Sequence, residues 1–157
     1  MKRLLKMKKK KYGQDSKLSI WFNPISLDDL SIRNENTCAS YFGIEITEIT
    51  DESMTAIMPV TQKVKQPIGI VHGGMNVVLA ETLASNAANC VVDIEKYFCV
   101  GLEININHIR SVQEGIITAV TRPFHLGKST QVWHIELMND AGQITAVSRM
   151  TASVLKR

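Results

Sequence analysis

From residue 43 onward the chain alternates apolar and polar positions in short runs, interrupted once by a long stretch that is apolar almost throughout. Ile44, Ile46 and Ile49 interleave with Glu45, Thr47 and Glu48, and Asp51-Glu52-Ser53 then turns the chain into Met54-Thr-Ala-Ile-Met-Pro-Val60. This approximate period of two predicts a pair of strands joined as a hairpin. Pro59 belongs at a strand end or on an edge, because it lacks the donor that a ladder requires. Residues 61 to 70, rich in Lys, Gln, Pro and Gly, read as a loop. Between Met75 and Val92 nearly every residue is Val, Leu, Ala, Met, Asn, Thr or Ser, which predicts a helix buried nearly all round. Four β-prone runs follow, from Phe98 to Ile109, Gly115 to Phe124, Gln131 to Asn139 and Gln143 to Leu155. Their connections, Arg110 to Gly115, His125 to Thr130 and Asn139 to Gly142, are short and carry turn residues, with glycine supplying the unusual φ of the last.

Upstream, Ser26 reads as an N-cap with an acid three residues later, so a short helix begins there, and a further turn covers Thr37 to Phe42 before Gly43 ends it. Residues 1–24 read as a tail closing on Trp21-Phe22-Asn23-Pro24, whose aromatic pair is expected to tuck onto a domain spanning residues 25–157. The order is two strands, a long helix, then four strands. It predicts an α+β fold of one domain, in which a curved antiparallel β-sheet wraps a long central helix. Sheet edges and leftover apolar surface favour association into dimers or larger oligomers.

Composition changes this picture little: 157 residues, 45% hydrophobic and 21% charged, suffice for one ordinary core. Charge is more informative. The net +3 owes much to Lys2, Arg3, Lys6, Lys8, Lys9, Lys10 and Lys11, and the rest of the chain is slightly acidic. That distribution argues against a folded nucleic-acid-binding face and reads as a solvated tail. The basic run lacks the apolar segment of a secretory signal, and no apolar stretch is long enough to span a membrane. Cys38, Cys90 and Cys99 have neither CxxC nor zinc spacing, so they are read as small core hydrophobes in a reducing compartment, by default the cytoplasm. His72, His108, His125 and His134 show no paired-ligand spacing, and no metal is expected.

Glu81 is the feature that demands chemistry. It is a lone carboxylate inside the apolar helix, where burial without a partner would raise its pKa. Such a group is either a structural residue, paired locally or protonated, or a base or nucleophile with few competing water contacts. Ser85 lies one turn further along the same face and can donate to it. His72 can cap or brace the turn that Gly73 and Gly74 form. Those glycines are either a plain turn before a helix or a place of close approach and uncommon backbone angles. No GxSxG elbow supports a serine hydrolase.

Lys65-Gln-Pro, His72-Gly-Gly, Leu79-Ala-Glu81, Gly101-Leu-Glu-Ile-Asn-Ile-Asn-His108, His125-Leu-Gly and Gln131-Val-Trp together resemble the hotdog-fold acyl-CoA thioesterases over about residues 40 to 155. Within them the chain is similar to the branch acting on aryl-CoA and related thioesters, which includes 1,4-dihydroxy-2-naphthoyl-CoA hydrolysis in menaquinone synthesis and enterobactin proofreading. The resemblance implies hydrolysis of an acyl-CoA or aryl-CoA to free acid and CoA, with no cofactor. It makes Glu81 the nucleophile or the general base on water, gives the Gly73 amide the oxyanion contact, and sets Gln66 and His72 at the thioester. Ser85 then supports the carboxylate. Gly101, His108, Ile109, Arg110 and Ser111 line the CoA and acyl path, with His125, Leu126, Gly127, Lys128, Ser129 and Thr130 beside them. It also implies a homodimer or homotetramer whose sites lie at the dimer interface. Two other readings remain at this stage: a hotdog hydroxyacyl-thioester dehydratase, and a module that senses acyl-CoA without turnover.

Overall fold

The computed structural model describes residues 19–22 and 24–157; the basic run and most of the expected tail lie outside them. Two short helices come first, α1 (Leu27–Asn34) and α2 (Cys38–Tyr41). Ser26 caps α1 as expected, its side chain accepting from the Asp29 amide at 3.1 Å. Six strands follow: β1 (Glu45–Ile49), β2 (Met54–Pro59), β3 (Tyr97–His108), β4 (Ile116–Leu126), β5 (Thr130–Met138) and β6 (Ile144–Lys156). Between β2 and β3 lie a 3₁₀ turn, Gln62–Val64, and the long helix α3 (Gly73–Cys90).

All neighbours in the sheet are antiparallel, in the order β1-β2-β4-β5-β6-β3, so β1 and β3 are its edges. Helix α3 contacts β2 through β6, and Gly74 is its sole fully exposed residue. Leu79, Ala80, Leu83, Ala84, Ala87 and Ala88 are buried against the inward positions of the sheet, among them Met58, Ile117, Trp133, Ile135 and Met150. Small residues let the helix axis come close to the strands, and the branched and aromatic side chains fill the remainder. Trp133 is fully buried. Its indole donates to Gln131 Oε1 at 2.9 Å, and Gln131 donates onward to the Ala88 carbonyl at 3.3 Å, joining β5 to the end of α3.

Several expectations shift in detail. Pro59 stands at the end of β2, one of the two expected places, opposite Ile116 in a strand flanked on both sides. Helix α3 begins at Gly73, and the expected six-residue turn from His125 to Thr130 shrinks to Gly127-Lys-Ser129. A bulge between Pro123 and His125 restores pairing beyond the proline, so that His125 and Leu126 still face Val132 and Gln131. The aromatic pair divides: Trp21 stacks on Trp133 at 6.5 Å and donates to the Thr50 carbonyl, whereas Phe22 is exposed. The Ile20 and Phe22 amides also donate to the Asp51 and Cys90 carbonyls.

Asn89 fastens the far end of α3 to β3. Its amide donates to the Cys99 carbonyl at 3.1 Å and accepts from the Cys99 amide at 2.8 Å, closing a two-point clamp between helix and strand. Asn89→Ala would leave both backbone groups of Cys99 unpaired in a half-buried position, so a loss of about 1–3 kcal/mol is expected in urea denaturation. A loss within about 0.5 kcal/mol, the scale of an ordinary surface change, would show that the clamp is dispensable.

Candidate active site

The local sequence sets up the start of α3 with few interactions. Val71 and His72 are pinned through their amides to the Val112 and Val64 carbonyls, both at close range, which aligns the chain for entry into the helix. His72 is the N-cap: its Nδ1 accepts from the Gly74 amide at 2.9 Å, and that bond requires the ring proton on Nε2. The capping alternative for His72 is thus realised. Neither Gly73 nor Gly74 takes a positive φ, so the expectation of unusual angles at the pair does not hold. Space is what Gly73 provides. A Cβ there would lie 2.8 Å from Nε2 of His108, whose ring packs directly on the helix start. The positive φ falls instead at Gly69, where it turns the loop after Gln66.

Glu81 is half-buried, two turns into α3, and its carboxylate rests on Gly101 so closely that any side chain there would overlap Oε1. A bulge between Gly101 and Glu103 interrupts the pairing of β3 with β6 at this point and leaves Leu102 strongly exposed. Burial raises the pKa of Glu81 above its ordinary value, and the Ser85 hydroxyl, donating to Oε1 from 3.4 Å, partly offsets it. The group is therefore more basic than a solvated glutamate while keeping one donor on its charged form.

Two cavities divide the residues expected at the site. Gln66, Gly73, His108, Ile109, Arg110 and Ser111 line one of about 260 Å³. Glu81 and Gly101 line another of about 580 Å³ with Val77, Val78, Thr82 and Cys38. The two share no lining residue. Ser85 opens onto a third space, of about 350 Å³, next to Arg33 and Arg157. The β4–β5 turn lines none of these: Gly127 is packed under the His125 ring, Lys128 and Ser129 are exposed, and Leu126 and Thr130 belong to the strands. Eight residues separate Gly73 from Glu81, which is about 12 Å along a helix axis. One chain's Gly73 amide and Glu81 carboxylate cannot both touch a single carbonyl.

Sequence reasoning passed over Asn76 and Asn89, polar residues of the same apolar helix that reach across to β3. The readable signal was spacing, since Asn89 continues the Glu81, Ser85 series at intervals of four. Cys38 also departs from expectation. Helix α2 packs through Ala39, leaving Cys38 exposed at the mouth of the Glu81 cavity, whereas Cys90 and Cys99 are buried. Burial raises both of their thiol pKa values, Cys99 to about 11. A thiol-disulfide exchange reagent at neutral pH is expected to modify one cysteine, Cys38, in the native protein and all three after unfolding; rapid native modification of two would contradict this packing.

Comparison with known proteins places the architecture. The family model of the thioesterase superfamily matches residues 68–146. The chain is 40% identical over 136 residues to the 1,4-dihydroxy-2-naphthoyl-CoA hydrolase of Escherichia coli, covering 87% of this chain and 99% of that one. The crystal structure of a mutant thioesterase from Pseudomonas aeruginosa superposes with a TM-score of 0.87 at 42% identity, over 88% of this chain and all of the other. A thioesterase from Haemophilus influenzae gives 0.85 at 38% identity, over 87% and 95% of the two chains. The hotdog resemblance read from His72-Gly-Gly and Glu81 is therefore correct, and the chain belongs to the thioesterase superfamily, as a thioester hydrolase.

Proposed function

We propose that this enzyme hydrolyses aryl-CoA or related acyl-CoA thioesters, 1,4-dihydroxy-2-naphthoyl-CoA being the first substrate to try, at sites shared between two protomers. The observation that carries the reading is the Glu81 carboxylate, half-buried against Gly101, raised in pKa by burial and open to an apolar cavity. The relative of known substrate named above supports the aryl-CoA choice.

The reaction converts the thioester and one water into the free acid and the CoA thiol. Glu81 supplies the missing nucleophilicity, either by attacking the carbonyl carbon itself or by taking a proton from the attacking water. As the carbonyl oxygen gains charge it needs a fixed donor, and the Gly73 amide at the start of α3 has the right polarity for it. Because the two groups of one chain lie too far apart, the donor comes from α3 of the partner subunit. The apolar residues Val100 and Leu102, exposed on edge strand β3 beside Glu81, support such a pairing. Gln66 and His108 then flank the thioester from the donor side, with Arg110 and Ser111 further out toward CoA. A dimer, or a dimer of dimers, in the cytoplasm accords with this chemistry, with three free cysteines, and with the absence, among the described residues, of a helix able to cross a membrane.

Thiol release from a panel of aryl, medium-chain and hydroxyacyl-CoA esters tests the proposal. Turnover is expected to be best with the aryl esters, and Glu81→Ala should lose about 10²–10⁴-fold in kcat while still binding substrate. Parental turnover by Glu81→Ala would remove Glu81 from the chemistry. Tight binding of every ester with no turnover would favour an acyl-CoA sensor instead.

A further inference from the structure

Asn76 is a polar side chain in the first turn of an apolar helix, only 6% exposed, and its Oδ1 has no hydrogen-bond partner among the described residues. A buried acceptor left unpaired opposes folding, so an explanation lies with the rest of the amide. Nδ2 lies 3.3 Å from Nδ1 of His108, the last residue of β3, across a separation of 32 positions in the chain. An amide N–H can only donate. Nδ1 is then the acceptor, and the imidazole proton must reside on Nε2. Nε2 is the atom that lies against Gly73, and Gly73, Asn76 and His108 line the same cavity.

The geometry points to Asn76 as a positioning residue for thioester hydrolysis. Through its Nδ2–H it holds His108 in the neutral Nε2–H tautomer, so that a second N–H donor stands beside the Gly73 amide at the start of α3. Two donors side by side suit an oxygen acceptor of the substrate's thioester and pantetheine segment. Gly73 serves both donors: it offers its own amide, and its lack of a side chain lets the His108 ring approach. This role rests on the thioesterase reading above, but the tautomer itself does not.

The experiment uses the full chain with ¹⁵N-labelled histidine, the His108 signals being identified by their loss in His108→Gln. Wild-type protein is expected to show Nδ1 unprotonated and Nε2 protonated at neutral pH. Asn76→Leu, similar in volume and free of the orphaned acceptor, should keep or raise the melting temperature, show a mixture of tautomers at His108, and lose about tenfold in kcat/KM on the best acyl-CoA. Asn76→Asp, which can only accept at neutral pH, should move a proton onto Nδ1 and be slowed as well. A wild-type His108 carrying its proton on Nδ1 alone would overturn the pairing. Parental kcat/KM and an unchanged tautomer in Asn76→Leu would overturn the positioning role. Wild-type protein inactive on every thioester tried would contradict the parent reading, and with it the purpose assigned to Asn76, whatever the tautomer spectrum shows.

Discussion

The close approach of α3 to β3 is the constraint on which the rest of the molecule depends. Three polar residues of one helix meet one strand along an antiparallel seam: Asn76 at His108, Glu81 at Gly101, and Asn89 at Cys99. The seam is possible because the helix face toward the sheet is built from alanines and leucines and because Gly73 and Gly101 have no side chains at the two tightest points. Widen it by one methyl group at Gly101 and the carboxylate must move. The bulge in β3 beside Gly101 is part of the same device, since it breaks the strand's regular pairing where the carboxylate needs room.

The burial that raises the pKa of Glu81 also explains why it is an improbable residue for that helix. A carboxylate removed from water costs stability in its ionised form, and the molecule offsets this only in part, through Ser85. A fully satisfied carboxylate would be a weaker base, and an unsupported one would hold its proton more readily; the single hydroxyl donor lies between these limits. At the other end of the same helix the requirement is reversed. There His72 occupies the Gly74 amide through Nδ1 and the Met75 amide through its carbonyl, and the proposed mechanism uses the remaining Gly73 amide for a substrate oxygen.

Much of this was legible in the residue pattern because it follows from periodicity and from one misplaced charge. The strands announced themselves by alternation, the helix by its lack of it, and Glu81 by standing alone among Val, Leu and Ala. What pattern could not supply was distance. Gly73 and Gly74 read either as a plain turn or as a place of close approach and uncommon angles, and it is close approach that Gly73 provides, to an imidazole from 35 positions away in the chain. The His125 to Thr130 segment read as a short connection carrying turn residues, yet a bulge at Phe124 lets His125, Leu126 and Thr130 remain in the sheet. Asn76 and Asn89 look like ordinary tolerated polar residues of a helix, and only their partners on β3 give them meaning. Cys38 looked like its two buried counterparts, and only the packing of α2 through Ala39 sets it apart.

The division of the site follows from the same geometry. A straight helix cannot bring its first amide and a carboxylate two turns later to one carbonyl, and in the proposed dimer the edge strand with its exposed apolar residues is the surface that brings a second α3 into reach. The central claim is that Glu81 acts as a carboxylate made more basic by burial. Activity that needs its ionised form is present above its pKa and lost as pH falls through it, so a raised pKa moves the acid limb of the rate profile upward. The direct measurement is a ¹³C titration of the Glu81 carboxyl, assigned by its loss in Glu81→Gln, beside the pH dependence of kcat/KM. The account predicts a midpoint clearly above that of an ordinary glutamate and coincident with the acid limb. A Glu81 that titrates in the ordinary carboxylate range, or an acid limb that survives in Glu81→Gln at parental rate, would contradict it.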